Sequence, residues 1–225
     1  MDSIEFIYKA KEVHGDFYIY TMKQTKQYEY VDLGLPSGLK WAKCNVGAEK
    51  ETDYGDYFQW GLTTPNTADD CTLESYRYCN GSDTTLTKYN NTSLFGTVDN
   101  ITTLETTDDA ATQIMGGDWR MPTKDEFQEL LDNTDNEWIE DYNGSGVNGR
   151  KFTSKTDGRK YIFIPAAGYC LDGSVYNVGS AGYVWGSLLY TSNPYYAWGL
   201  YFYSDDCLMY DNRRYSGRSV RGVMD

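Results

Sequence analysis

Apolar and polar residues alternate in short runs through much of the chain, and two stretches carry helix signals instead. In Ala197-Trp198-Gly199-Leu200-Tyr201-Phe202-Tyr203 the large apolar residues Trp198, Leu200 and Phe202 fall on even positions, while Gly199, Tyr201 and Tyr203 fall on odd ones. A strand with this period buries one face and displays the other. After a turn at Ser204-Asp205-Asp206, Cys207 and Met209 continue the inner row and Leu208 and Tyr210 the outer one. Further upstream, EYVDLGLPSGLKWAKCNVGA predicts a hairpin around Pro36-Ser37-Gly38, and KFTSKTDGRKYIFIP one around Asp157-Gly158. The alternation in IEFIY and FYIYTM around His14-Gly15-Asp16 predicts a short opening hairpin, with KQTKQ as linker. Residues 1–27 therefore read as an attachment and 28–225 as the main domain.

The helix signals are local. In MPTKDEFQELLDN, Thr123 and Glu126 stand at capping-box spacing, and Phe127, Leu130 and Leu131 share one face. DDAATQIMGG predicts a shorter helix with Asp108 and Asp109 in its first turn and Gly116-Gly117 at its end. Between Thr63 and Thr107 the chain is rich in Thr, Asn, Asp, Ser and Gly, so long irregular connections are expected, pinned by Tyr76, Tyr78 and Tyr89. DNTDNEWIEDYNGSGVNG reads as an acidic loop. Many short strands and about two helices place the chain in the α+β class.

The 225 residues suffice for a hydrophobic core without staples, and no apolar stretch is long enough to cross a bilayer. Acidic residues outnumber basic ones 33 to 20, a net charge of −13 that disfavours nucleic acid as a partner. One histidine, His14, leaves little room for histidine-based metal or acid–base chemistry. Five cysteines, an odd number without zinc spacing, read as buried small hydrophobes or free thiols, with one bridge, such as Cys71–Cys79, as the alternative. The residues after Met1 carry no positive segment followed by an apolar one, so no secretory leader is expected there. Asp132, Asp135, Glu137, Glu140 and Asp141 could ligate a hard cation, but acidic loops are more often simply solvated. The sequons at Asn80, Asn90, Asn91, Asn100 and Asn143 are what Asn/Thr-rich loops produce by chance.

Composition changes at Lys160. The last 65 residues hold 11 of the 22 tyrosines but no Lys, Glu or Gln, and their five Asp and four Arg nearly cancel, so the acidity lies upstream. Tyr with Ser, Gly, Asn and Asp is the vocabulary of adaptable binding surfaces: large rigid rings for contact area, small polar residues for shape and hydrogen bonds. Tyr is also an ordinary strand residue, and a plain structural sheet is the competing reading.

EYVDLGLPSGLKWAKCNVGA, YGDYFQWG, GGDWRMPTKDEFQELL, YVWGSLLY and the closing GRSVRGV, running from about Tyr28 to the end, resemble the C-type-lectin-like domains of gut-bacterial or phage type that include variable proteins of diversity-generating retroelements. The resemblance implies a lectin-like fold, shared with formylglycine-generating enzymes. It also implies a region, about 176–223, in which adenine mutagenesis turns Asn codons into Tyr, Asp, Ser, Gly or Leu but never into Lys, Glu, Gln, Met or Trp. On that basis the ligand-contacting positions are Tyr183, Gly186, Tyr190, Tyr195, Tyr196, Gly199, Tyr201, Tyr203, Asp205, Asp206, Leu208, Tyr210, Asp211, Tyr215 and Ser216, although strand parity turns Tyr196 inward. Trp185, Trp198, Leu200, Phe202, Met209, Val220, Val223 and Met224 are framework.

The resemblance further implies a non-enzymatic receptor or adhesin, displayed on a phage particle or bacterial surface. Its partner would be a protein or cell-surface ligand, with no cofactor, no metal and no membrane insertion, and the protein would be a monomer or small homo-oligomer. Structural or adhesin surface packing is the alternative. Calcium-dependent sugar binding is another, but the lectin tripeptides Glu-Pro-Asn, Gln-Pro-Asp and Trp-Asn-Asp are absent. Cys170 and Cys207 are the candidates for a reactive cysteine pair in the matching half, and neither has a histidine near it in the sequence.

Overall fold

The computed structural model describes residues 6–13, 16–23 and 26–225, with side-chain surroundings from residue 26 onward. β1 (Phe6–Val13) and β2 (Asp16–Lys23) pair antiparallel. The expected turn at His14-Gly15 and part of the KQTKQ linker lie outside the described residues. β3 (Tyr30–Asp32) and β4 (Lys40–Ala42) close the hairpin over the Pro36-Ser37-Gly38 turn, where Gly38 N donates to Leu35 O at 2.9 Å. Residues 63–107 run as loops broken by short 3₁₀ turns, and the buried rings of Tyr76, Tyr78 and Tyr89 anchor them.

α1 (Ala110–Met115) starts two residues later than the pattern suggested. Asp109 is its cap, accepting Thr112 N at 2.9 Å, while Asp108 sits in the preceding 3₁₀ turn, held by Lys88 Nζ at 2.6 Å and the Tyr89 hydroxyl at 2.5 Å. α2 (Lys124–Asn133) opens on the predicted capping box: Glu126 N donates to Thr123 Oγ1, and Thr123 N to Glu126 Oε2.

The acidic segment expected to be a loop is in fact β5 (Thr134–Ile139), paired to β6 (Gly149–Ser154), which pairs in turn with β7 (Tyr161–Pro165). Its alternation was present, but charged residues disguised it: Asp135 and Glu137 face outward, and Glu137 lies opposite Lys151, with Nζ to Oε1 at 3.8 Å. The carboxylates of that stretch are thereby spread over a helix end, a strand and a turn.

β8 (Tyr169–Leu171) and β9 (Ser174–Tyr176) form a small ribbon. The largest sheet is built from β10 (Ala181–Leu189), β11 (Tyr196–Tyr203), β12 (Cys207–Arg213) and the short β13 (Ser219–Val220), in the order β12-β11-β10-β13; β13 alone runs parallel to its neighbour. β14 (Val223–Met224) returns to pair with β4. The chain is α+β, with short and mostly antiparallel strands and two α-helices among the described residues.

Strand alternation divides the largest sheet between two cores. Val184, its cross-strand partner Leu200, and Phe202 pack with Phe127 and Leu130 of α2 and with Trp41, Phe152, Ile162 and Ile164. One residue along, Trp185 points to the opposite side, into a cluster with Trp60, Tyr76 and Tyr89. Two indoles lock that junction: Trp185 Nε1 donates to Phe58 O and Trp60 Nε1 to Gly186 O, both at 2.8 Å. Trp198, expected inside, is half-buried at the margin of this packing, with Lys124 Nζ 3.8 Å above its ring and Tyr190 edge-on at 5.0 Å.

The cysteine expectation is overturned. Cys71 and Cys170 form a disulfide across 99 residues of sequence, while Cys79 is a free buried thiol. Pairing depends on Cα atoms brought to 5.9 Å by tertiary structure. Cys170 reaches that place through backbone hydrogen bonds in both directions with Gly217, a contact that spacing along the chain does not encode. Gly217 must be glycine there, because a Cβ would stand 2.2 Å from Cys170 Sγ and 2.5 Å from Cys71 Sγ.

Candidate functional site

Antiparallel partners project to the same side of a sheet, so the register fixes which tyrosines meet. Tyr183 pairs with Tyr201, which pairs with Leu208; Tyr203 lies opposite Ala181, and Tyr210 opposite Gly199. All therefore stand on one face. Their rings form a continuous chain: Tyr183 to Tyr201 at 4.8 Å, Tyr201 to Tyr203 at 5.5 Å and Tyr201 to Tyr210 at 6.1 Å between centroids. From the neighbouring ribbon, Tyr169 adds its ring edge-on to Tyr183 at 4.9 Å and stacks on Tyr176 at 5.3 Å.

Tyr169, Tyr183, Tyr201 and Tyr210 of this chain of rings line an open basin of about 630 Å³. β8 contributes Tyr169 and Leu171, β10 Tyr183, and β11 Tyr196 and Tyr201. Tyr210, Asp211, Asn212 and Arg213 of β12 form another wall, and Ser216 and Arg218 come from the segment leading into β13. Tyr210 is the most open ring, 51% exposed, whereas Tyr169, Tyr183, Tyr196 and Tyr201 are half-buried. Burial, reinforced by Tyr183, pushes the Tyr201 hydroxyl up to about 12, and burial likewise raises Tyr169. At neutral pH both are uncharged phenols able to donate a hydrogen bond.

Arg218 lies at the base of this group, 5% exposed, with its guanidinium 4.7 Å from the Tyr183 ring, 4.9 Å from Trp185 and 5.3 Å from Tyr169. Nε donates to Ser216 Oγ at 3.1 Å, and Nη1 is buried without a hydrogen-bond partner. Burial pushes its ionisation down, to about 9, and the nearby tyrosines only partly offset this.

Of the positions expected to contact ligand, Tyr183, Tyr196, Tyr201, Tyr210, Asp211 and Ser216 line the basin, and Tyr203 and Leu208 share its face. Tyr196 escapes the inward direction that parity assigned it: it is the first residue of β11, opposite Arg213 at the basin's edge. Asp205 and Asp206 are exposed on the β11–β12 turn. Tyr190 packs on Trp198, and Tyr195 lies between Tyr196 and Tyr215, both away from the basin lining.

Three further assigned positions are interior instead, and Ser216, although it lines the basin, is only 1% exposed. Gly186 is covered by the backbone of Pro122 and Trp198, Gly199 by Val184 O, and Tyr215 is in the core cluster around Trp60. Strand parity cannot see that Pro122 and Phe127 close over Gly186, that Val184 and Trp185 of the neighbouring strand crowd Gly199, or that the cluster around Trp60 encloses Tyr215.

Tyr169, Leu171, Asn212, Arg213 and Arg218 were not anticipated. Tyr169 could have been suspected from the tyrosine enrichment beginning after Lys160; the arginines carried no local signal. Among the described residues no three His, Cys, Asp or Glu side chains gather as metal ligands. Cys170 is occupied by its disulfide, and burial pushes the Cys207 thiol up to about 12, away from a reactive thiolate. No family model, curated protein or solved structure matches the chain.

Proposed function

We propose that the chain is a non-enzymatic ligand-binding protein of receptor or adhesin type, with a C-type-lectin-like fold, that uses the tyrosine basin and its rim to engage a protein or cell-surface ligand. The observation that carries this reading is the chain of half-exposed rings from Tyr169 through Tyr183 and Tyr201 to Tyr210, set on a sheet whose other residues fix the backbone in two cores. Rings held in this way offer contact area without losing much side-chain freedom on binding. The residue types of the C-terminal third fit a retroelement-diversified segment, with Trp198, Leu200 and Phe202 constant and Tyr201, Tyr203 and Tyr210 variable.

Two measurements test the reading. In the genome of origin, a near-copy of the coding segment for residues 176–223, differing at adenines and beside a reverse transcriptase gene, is expected. In solution, the variant with Tyr201, Tyr203 and Tyr210 all changed to Ala should lose binding to a bacterial surface panel while its thermal midpoint stays close to that of the parent. Retained binding, or unfolding of the variant, would reject the site.

A further inference from the structure

The chain has three buried arginines near its C-terminus, and they differ in how their donors are used. Arg214 donates to the Tyr76 hydroxyl and to the carbonyls of Lys88, Tyr89 and Pro194. Arg221 donates to Asn45 Oδ1 and to the carbonyls of Ala42, Lys43 and Phe163. In both, every guanidinium nitrogen donates within the fold. Arg218 is as buried, yet its guanidinium makes one hydrogen bond among the described residues, and Nη1 has no partner. It is also the one of the three that lines the basin.

Resting on the reading of that basin as a ligand-binding face, we infer that Arg218 is the anchor for a carboxylate of the ligand, supplied by an aspartate or glutamate side chain of a protein partner. Tyr169, Tyr183 and Trp185 surround the guanidinium at 4.7 to 5.3 Å, and with Nε bonded to Ser216 Oγ the Nη groups are the donors that make no hydrogen bond among the described residues. A planar two-pronged donor fits a carboxylate with two parallel hydrogen bonds. A buried cation with an unsatisfied donor costs free energy that an incoming anion would recover.

Local charge agrees. Arg213 and Arg218 line the basin against Asp211 alone, a net positive site in a chain whose formal charge is −13. The phenols of Tyr183 and Tyr201 stand beside the anchor to flank the carboxylate's neighbours in the partner chain.

The test compares the peptides Ac-Tyr-Asp-Tyr-NH2 and Ac-Tyr-Asn-Tyr-NH2, which differ in one charge, titrated into the full chain at fixed chloride. The Arg218 Nε–Hε signal in a nitrogen–proton spectrum is the readout. The aspartate peptide should bind about tenfold tighter, a difference of about 1.4 kcal/mol, and move that signal saturably. In Arg218→Met the ratio of the two peptides' affinities should fall to about one, and Arg218→Lys should keep only part of the preference.

Equal binding of the two peptides to the unaltered chain overturns the anchor while leaving the aromatic face intact as a binding site. Failure of either peptide to bind counts against both readings. A shift of Arg218 by glucuronate but not by the aspartate peptide overturns the assignment to a protein carboxylate. The comparison on the unaltered chain decides the matter even where a variant folds poorly.

Discussion

Side chains of one type do opposite work in this protein according to what surrounds them. Arg214 ties three loop carbonyls and the Tyr76 hydroxyl together, so Arg214→Met strands those acceptors in the interior. That change should cost about 3 kcal/mol or more, read as a lower denaturant midpoint. Arg218→Met deprives only Ser216 Oγ of a donor, and Ser216 still donates to Arg213 O, so its loss should be distinctly smaller in the same titration. The tyrosines divide likewise. Tyr210→Ala removes a ring that is half in solvent, and its effect on stability should fall within about 0.5 kcal/mol. Leu200→Ala, at the centre of the α2-facing core, should cost roughly 2–5 kcal/mol. Equal effects at 200 and 210 would mean that the outer rings are core residues and that the face is misassigned.

At the scale of elements, the disulfide matters more than its position in a loop suggests. Cys170 belongs to β8, whose Tyr169 and Leu171 wall the basin, and its partner Cys71 sits in the irregular segment that covers the sheet's other end. Tying them closes a loop of about 100 residues, for which the chain-entropy argument gives roughly 4–5 kcal/mol, while measured losses span about 2–5. Thermal unfolding of the Cys71→Ala/Cys170→Ala variant, and of the parent in reductant, should show a lower midpoint by the same amount. An unchanged midpoint in both would mean that the bridge does not form in solution.

The elements themselves were legible where the signal is local. The capping box at Thr123 and Glu126 marks α2, and turn residues mark both hairpins. The alternation over 197–203 and 207–210 gives the β11–β12 ribbon its two rows, save that Trp198 of the inner row is only half-buried and Gly199 of the outer row is covered. Local signals failed where partners are distant. β5 reads as an acidic loop until Lys151 is opposite Glu137, and the Cys71–Cys170 bridge depends on the return of Gly217. Gly186 looks outward until Pro122 and Phe127 close over it, and Tyr215 until the loop residues around Trp60, Tyr76 and Tyr89 enclose it.

For the whole molecule, the sequence showed that one face would carry tyrosines, but the basin arises from the meeting of three separate pieces: the β8–β9 ribbon, the β10–β12 sheet and the segment around Arg218. No single stretch contains it, which is why its arginine was missed. The same long-range assembly governs how the molecule responds to acid. Asp99 accepts hydrogen bonds from the backbone N–H groups of Tyr89, Asn90 and Ile101, and these outweigh the burial that opposes its charge. Burial also opposes Glu126, but the Arg120 guanidinium and the Thr123 amide hold its carboxyl below the usual range. Asp109 runs the other way, since burial raises it despite the Thr112 and Met121 amides.

A carboxyl whose folded value is lowered stabilises the fold above its unfolded value, near 4, and that contribution disappears as pH falls through the folded one. A raised carboxyl such as Asp109 does the reverse, so its protonation favours the fold as pH drops toward its own value. The net charge of −13 adds a third effect, self-repulsion that fades as the chain approaches its isoelectric point near 4.5. Stability should therefore rise modestly from pH 8 to about 5 and fall steeply below about 4. Added salt should flatten the rise by screening repulsion, whereas the fall, set by hydrogen-bonded carboxylates in loops and caps, should persist. Chemical denaturation from pH 3 to 8 at low and high salt measures both limbs. A profile that stays flat down to pH 3 would show that Asp99 and Glu126 do not hold the long loops and the α2 cap in the way their bonding implies.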